Sequence, residues 1–439
     1  MANTLSCRVQ LSQFSAALQI VIRSIPTNIG LQQSAYLLEL KSDGEHLTLK
    51  TCNGDEEITV SIPCQGDDFC LLVSATQLQK HVFKSKGPKE YPLVYYRGKR
   101  SQQGKLVLPP HPTLPPPAKP PEEGHNEFGC FDEEKFGLYE FGPIPRKSRI
   151  EITPTPSEFF KIMEYLWLAR NPKIEKPITN GLMFVGDKLA LTDGHRLHAQ
   201  LLGQSMQISG VLPKASTEAL YFGLKYFEPE SMRVQYAHSR TTNCFVIFLP
   251  GECSVRINAK AIEVPEKFYK VCPPLEDGLN IGVTAEPLAQ LLNTVIKLKL
   301  TRITLQFSHH VWRTDLPPEQ LVWDPEAKAF SKSALLYFYE VDQKDEQGKV
   351  TGTLTVPGML PSHRSGGSGL VKVRSYDPKY LSCAIETMGG FLGLLLPWVR
   401  IKEGEHAGED DDEYYPLVIT GRVEDGGVSG RYAVVMPLR

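Results

Sequence analysis

Hydrophobic positions along this chain follow two periods, and the switches between them outline its elements. Apolar residues three or four apart predict six amphipathic helices. The first runs from about Ser12 to Ile25, with Phe14, Leu18, Val21 and Ile25 on one face. The second opens on Ser74 and Gln77, spaced as a capping box, and buries Leu78 and Val82. The third opens on Thr155, Pro156 and Glu158, a capping box with proline at the first helical position, and its stripe is Phe159, Met163, Leu166 and Trp167. The fourth follows Pro213 and carries Leu220 and Leu224. The fifth follows Thr284 with Leu288, Leu291, Leu292 and Val295, and the sixth starts at Asp377-Pro378 and continues through Leu381, Ile385 and Met388.

Between the helices the period drops to two. Ala35–Leu40, Leu47–Leu49 and Ile58–Ile62 are separated by Asp43-Gly44 and Asn53-Gly54, strong short-range signals for hairpins. The layout returns at Leu182–Val185, Leu189–Leu191 and Leu197–Leu201, with Gly186-Asp187 and Asp193-Gly194 at the turns. One unit, a helix followed by about three antiparallel strands, is thus used about six times. Two units per domain give three pseudo-equivalent domains.

Several segments break that rhythm. Pro109–Pro121 is a proline-rich, polyproline-like spacer with no capacity to form a core. Asp315–Lys332 reads as an insertion between the strands Arg302–Phe307 and Ala334–Val341. Met359–Gly369 holds Ser-Gly-Gly-Ser-Gly and reads as a flexible loop. The acidic run Glu403–Glu413 has nearly consecutive carboxylates, which suits a solvated loop and lacks the spaced alternation of a calcium loop. Tyr95-Tyr96 before Arg97-Gly98-Lys99-Arg100 reads as a basic and aromatic cluster or as the protected end of an edge strand.

Composition narrows the class. At 439 residues the chain exceeds one core and suggests about three domains. Its 41% apolar and 22% charged content is that of a folded soluble protein, and a net charge of −2 neither demands nor excludes an acidic partner. Nine scattered cysteines form no CxxC pair, which fits free thiols in a reducing cytosol. Neither a leader pattern nor a run of about 18 apolar residues occurs, so a cytoplasmic location away from membranes is expected.

Particular segments carry more. Asn180-Gly181-Leu182-Met183-Phe184 and Leu191-Thr192-Asp193-Gly194-His195-Arg196-Leu197 are followed by Val211-Leu212-Pro213-Lys214 and by Val264-Pro265-Glu266-Lys267-Phe268-Tyr269-Lys270-Val271-Cys272-Pro273. The chain closes on Val434-Val435-Met436-Pro437-Leu438-Arg439. Taken alone, that tail is an apolar edge strand, and Thr-Asp-Gly-His is any hairpin. Together they resemble the bacterial DNA polymerase III β subunit, the sliding-clamp family. The likeness runs along the whole chain and is specific in its middle third and tail. Departures mark a divergent member. Ile25-Pro26-Thr27-Asn28-Ile29-Gly30 replaces an Arg-Pro-Thr-Leu-Pro-type entry, and Thr179 stands where an apolar residue is common. One extra residue separates Pro265 from Val271, and no apolar residue follows Arg439.

The resemblance implies an α+β fold of three sliding-clamp domains, each with two helices packed on antiparallel sheets, over residues 1–148, 149–274 and 275–439. The insertions 109–121, 315–332, 359–369 and 403–413 fall in the first and third domains. It implies a head-to-tail homodimer closed into a ring around duplex DNA, which it would hold topologically and without sequence preference. Lys and Arg on the inner helices would touch phosphates weakly. The candidates are Arg23, Lys80, Lys84, Arg170, Lys173, Lys214, Lys297 and Lys299, each of which is otherwise a solvated helix charge.

It also implies a pocket, between the middle and third domains, that captures short linear motifs of a DNA polymerase and a clamp loader. Carried over by position, the pocket comprises Thr179, Thr192, Gly194, His195, Arg196, Leu197, Pro265, Lys270, Val271, Val434, Val435, Met436, Pro437 and Leu438. Apolar walls would bury a Leu or Phe anchor for roughly 1.5–3 kcal/mol, and Gly194 would admit a peptide backbone. Neither cofactor nor metal is expected, nor is catalysis. His195 and Asp193 on one tight hairpin point apart, whereas triads assemble from distant segments. A competing reading keeps the fold but changes the role. In it the chain is a clamp-derived scaffold or decoy of a phage, plasmid or repair system, binding peptides without encircling DNA.

Overall fold

The computed structural model describes residues 4–26, 36–82, 90–96, 103–108, 126–131, 138, 140–145, 149–174, 176, 178–203, 205–239, 242–266, 268, 279–297, 299, 303–305, 322–324, 329–341, 348–358, 374–386, 388, 391–396, 417–422 and 428–436. Two compact units emerge, one of residues 1–163 and 206–263 and the other of residues 164–205 and 264–439. Six longer helices occur among the described residues: α1 (Leu11–Val21), α2 (Ala75–Val82), α3 (Pro156–Trp167), α4 (Lys214–Phe227), α5 (Ala285–Lys297) and α6 (Pro378–Ile385).

In the first unit, period-two burial builds one long antiparallel sheet. Glu56–Gly66 shows the rule: Ile58, Val60, Ile62 and Cys64 are buried, and the residues between them are half-buried. The sheet order is Thr4–Gln10, Glu90–Tyr96, Gln103–Leu108, Asn126–Phe131, Asp68–Ser74, Leu37–Asp43, His46–Cys52 and Glu56–Gly66. Glu56–Gly66 pairs back onto Thr4–Gln10 and closes these strands into a cycle. It also carries the sheet onward into Ser254–Lys260, Asn243–Leu249, Arg233–His238 and Arg149–Ile152. Tyr95 and Tyr96 lie on a strand paired on both sides, so they mark an interior strand and not the end of an edge strand.

The turns are legible in side-chain chemistry. Asp43 Oδ1 accepts the N–H groups of Glu45 and His46, and Asn53 Oδ1 accepts those of Asp55 and Glu56. Helix α1 covers this sheet and packs against α4. Glu56 caps α4 from a distant strand: its buried Oε1 accepts from Ser216 N at 2.9 Å and Ser216 Oγ at 2.7 Å. Burial holds the Glu56 carboxyl above its usual range despite those donors.

In the second unit the main sheet runs Leu182–Val185, Lys188–Thr192, Arg196–Leu201, Val428–Val435, Leu417–Arg422, Phe391–Leu396 and Leu279–Thr284. Val428–Val435 is therefore an interior strand, tied on both sides. A separate sheet joins Val322–Asp324, Ala329–Val341 and Gly348–Gly358. The expected insertion 315–332 thus holds strand at 322–324 and 329–332, where the β-formers Val322, Trp323 and Phe330 stand. Helix α6 is shorter than its pattern predicts. It ends at Ile385, and Met388 follows in a turn, still buried. The segments 109–121, 359–369 and 403–413 lie outside the described residues.

Candidate functional site

The turn between Lys188–Thr192 and Arg196–Leu201 is built by its own side chains. Gly194 has φ +92°, a conformation that L side chains rarely adopt. Asp193 is buried, and its Oδ1 accepts from His195 N at 2.9 Å and Arg196 N at 3.0 Å. Its Oδ2 lies 3.3 Å from Arg196 Nε. Thr192 Oγ1 donates to Arg196 O at 2.6 Å and accepts from Gly194 N at 2.9 Å. The side chains of Thr192 and Asp193 are thereby turned inward on the turn's own backbone. His195 and Gly194 remain exposed.

Two neighbours fix the turn in place. Met436 N donates to His195 O at 2.9 Å, so the chain's last described residue is tied directly to it. On the other side Asn180, fully buried with φ +65°, donates its N–H to Thr192 O at 2.8 Å. The Asn180 amide also bonds the backbone of Asn171 and Ile174. Thr179 faces Gly194, with its Cγ2 3.8 Å from where a Cβ there would sit.

Helix α6 supplies a residue that the motif does not contain. Arg196 lies with its guanidinium 4.7 Å from the Tyr380 ring centroid, and the His195 ring stacks on the same tyrosine at 6.1 Å. Asp377 caps α6 by accepting from Lys379 N, with proline following it, which places Tyr380 in the first turn. Burial holds the Tyr380 phenol above its usual range, with the Asp193 and Asp377 carboxylates adding to the effect. The Asp-Pro start was legible in the sequence. The pairing of Tyr380 with a turn far upstream was not.

Of the expected pocket residues, Thr179, Thr192, Gly194, His195, Arg196, Leu197, Val434, Val435 and Met436 meet here. Leu197 pairs with Val434 and Arg196 with Val435 across adjacent strands. Leu197, Val434 and Val435 are buried within the sheet, while Thr192 and Met436 are half-buried. Pro265 is half-buried and accepts from Phe268 N. Lys270, Val271, Pro437 and Leu438 lie outside the described residues. Beneath the site, His198 is fully buried and stacked on Tyr165 at 4.9 Å, with Nδ1 3.1 Å from Tyr165 O. Tyr165 Oη in turn donates to Tyr432 O. Burial pulls the His198 imidazole down to about 4.

The basic candidates differ in freedom. Arg23 is engaged: its guanidinium sits 2.9 Å from Glu218 Oε2 and 4.8 Å from the Phe222 ring centroid. Arg170 stacks on Trp167 and is half-buried. Lys80, Lys173, Lys297 and Lys299 are exposed, Lys214 is half-buried at the start of α4, and Lys84 lies outside the described residues. Among the described residues no cluster of His, Cys, Asp and Glu could hold a metal ion, and no helix is long and apolar enough to cross a membrane.

At the level of sequence, no family model and no curated protein matches the chain. The fold does find counterparts. A DNA polymerase III subunit β sliding clamp from Bartonella birtlesii, bound to griselimycin, matches over 100% of both chains with a TM-score of 0.64 at 15% identity. This chain has the bacterial sliding-clamp fold. The subunit β of Borrelia burgdorferi, in complex with a natural product, matches over 100% of this chain and 99% of its own with a TM-score of 0.64 at 15% identity. That of Thermotoga maritima matches over 99% of both chains at 0.63 and 11%. The clamp fold is therefore present end to end in a strongly diverged sequence. The mixed helix and antiparallel-sheet class expected from the periodicity agrees with it.

Proposed function

We propose that the protein is a DNA sliding clamp. In this reading two copies close head to tail into a ring around duplex DNA, and the ring tethers a DNA polymerase and other replication or repair proteins. What carries the reading is that the likeness to sliding clamps spans the entire chain and not one module. Three pseudo-equivalent domains, 1–148, 149–274 and 275–439, would each contribute one helix pair: α1 with α2, α3 with α4, and α5 with α6. The protein has no catalytic role of its own in this scheme, and it works in the cytoplasm.

The exposed Lys80, Lys173, Lys297 and Lys299 suit weak, sequence-independent contact with phosphates, which a topological link requires to be loose. Arg23 contributes less, being already paired with Glu218. Partner motifs would dock at the turn, on Thr192, Gly194, His195 and Met436, with the Tyr380 face beside them. Strands carrying Leu197, Val434 and Val435 form the rigid support. A peptide with Leu or Phe anchors would bind modestly there, because its own ordering offsets much of the burial, and exchange of partners follows.

The solution molar mass tests ring closure. A stable dimer is expected at micromolar protein. A monomer at every concentration would contradict the ring and leave a peptide-binding scaffold of clamp descent.

A further inference from the structure

The closure of the strand cycle in the first unit carries a chemical feature that clamp function does not use. Thr4–Gln10 meets Glu56–Gly66 in the register Cys7 opposite Gly66 and Val9 opposite Cys64. Cys7 and Cys64 are therefore diagonal neighbours on one face of the sheet. Gly66 draws them together: a Cβ there would stand 2.5 Å from Cys7 Cα and 2.9 Å from Cys7 Cβ, so only glycine admits the first strand so closely. Ser6 and Asp67 lock the same end, Ser6 N donating to Asp67 Oδ2 at 2.8 Å and Asp67 N to Ser6 O at 2.7 Å.

The two thiols lie close enough on that face to shift each other's titration in opposite directions. Ser42 Oγ lies 3.6 Å from Cys64 Sγ, within hydrogen-bond reach, and accepts from Gly44 N at 3.2 Å, which fixes its position. Cys64 thus has a hydroxyl at its sulfur and a second thiol beside it. The neighbouring Cys7 thiol pulls the Cys64 thiol down to about 7 against the effect of its burial, and the hydrogen bond with Ser42 assists. Cys7 moves the other way, raised by its Cys64 neighbour and by burial. Elsewhere burial alone dominates, pushing Cys130 up to about 12 and Cys253 up to about 11. Access is graded too: Cys64 is 7% exposed and Cys7 1%, so a small oxidant reaches Cys64 first.

We infer that Cys7 and Cys64 are a redox-modification site, in which a hydroperoxide oxidises Cys64 and Cys7 resolves it to a disulfide across the closing strand pair. With hydrogen peroxide, the Cys64 sulfur attacks one oxygen, the O–O bond breaks, and the departing hydroxide is protonated to water. The sulfur has lost two electrons and carries a sulfenic acid. The Cys7 sulfur then attacks it, the S–O bond breaks, and hydroxide leaves with the Cys7 proton as a second water. Two thiols and one peroxide give one disulfide and two waters. A dithiol reverses the change by exchange.

The test treats the reduced full-length protein with hydrogen peroxide, alkylates the remaining thiols under denaturing conditions and maps peptides by mass spectrometry. A linked Cys7–Cys64 peptide is expected, forming ahead of oxidation at the other cysteines and lost on adding dithiothreitol. In Cys7→Ser the sulfenic acid on Cys64 persists and is trapped by dimedone, whereas Cys64→Ser yields neither the adduct nor the link. If a variant fails to fold, dimedone added to the wild-type reaction decides the matter, since it must label Cys64 and lower the disulfide yield. Faster linkage of another pair, first labelling of Cys7, or oxidation of Cys64 without linkage would each overturn the inference.

Discussion

Asp193 holds Arg196 from within the turn that both residues belong to, with Oδ2 3.3 Å from Nε and Oδ1 on two backbone N–H groups. The Arg196 guanidinium in turn sits over the Tyr380 ring, 4.7 Å from its centroid. One buried carboxylate thus positions the turn, and through it the aromatic face offered by α6. Removing it strands a buried guanidinium. Asp193→Ala should cost about 3–5 kcal/mol of stability, the range for breaking a buried pair by removing one partner. Asp193→Asn should cost less, since its amide oxygen still accepts the N–H groups. Urea unfolding measures both, and equal losses would contradict this account of the carboxylate.

Gly194→Ala tests backbone conformation apart from space. The nearest atom to an added Cβ is Thr179 Cγ2 at 3.8 Å, an ordinary contact. The cost therefore comes from the positive φ and should be about 1–2 kcal/mol. An unchanged urea midpoint would show that the turn relaxes freely.

Tyr380 contributes its ring face and not its hydroxyl. Under the proposed function, Tyr380→Ala should weaken binding of a short Leu- and Phe-containing peptide about tenfold, while Tyr380→Phe should bind nearly as the wild type. Calorimetric titration separates the two. Equal loss in both variants would place the hydroxyl, and not the ring, at the contact.

The periodicity and turn chemistry of the sequence were sufficient for the six helices and for the Asp-Gly and Asn-Gly hairpins, because caps and turns are local. Asp193, Gly194 and the Asp377-Pro378 start fall in that class. What stayed hidden is what distance in sequence hides. No local signal showed that Glu56 caps α4, that Tyr380 covers Arg196, or that the tail strand lies inside its sheet and not at an edge. The strand at 329–332 was missed because that stretch holds only two adjacent apolar residues, Ala329 and Phe330, between Lys328 and Lys332, with no period of two to read.

His198 should make stability pH-dependent. Its imidazole is pulled down from 6.5 to about 4, so between these values the unfolded chain binds the proton and the folded one does not. Stability is then fully present above about pH 6.5 and lost as pH falls toward 4, by about 3 kcal/mol over that window. His198→Phe keeps a ring against Tyr165 and cannot titrate. Its stability deficit relative to wild type should shrink steadily from pH 6.5 to 4 in urea titrations, and a constant deficit would rule out the imidazole as the cause.

The measurement that bears most directly on the proposed function is retention on nicked circular DNA, before and after the circle is linearised. A clamp loader or a spontaneously opening dimer must first place the ring on the DNA. The account expects protein to stay with the circle at moderate salt and to slide off once an end is cut, because the link is topological and the phosphate contacts are weak. Retention indifferent to linearisation would contradict it, as would a dimer that loaders of bacterial clamps cannot place on the circle.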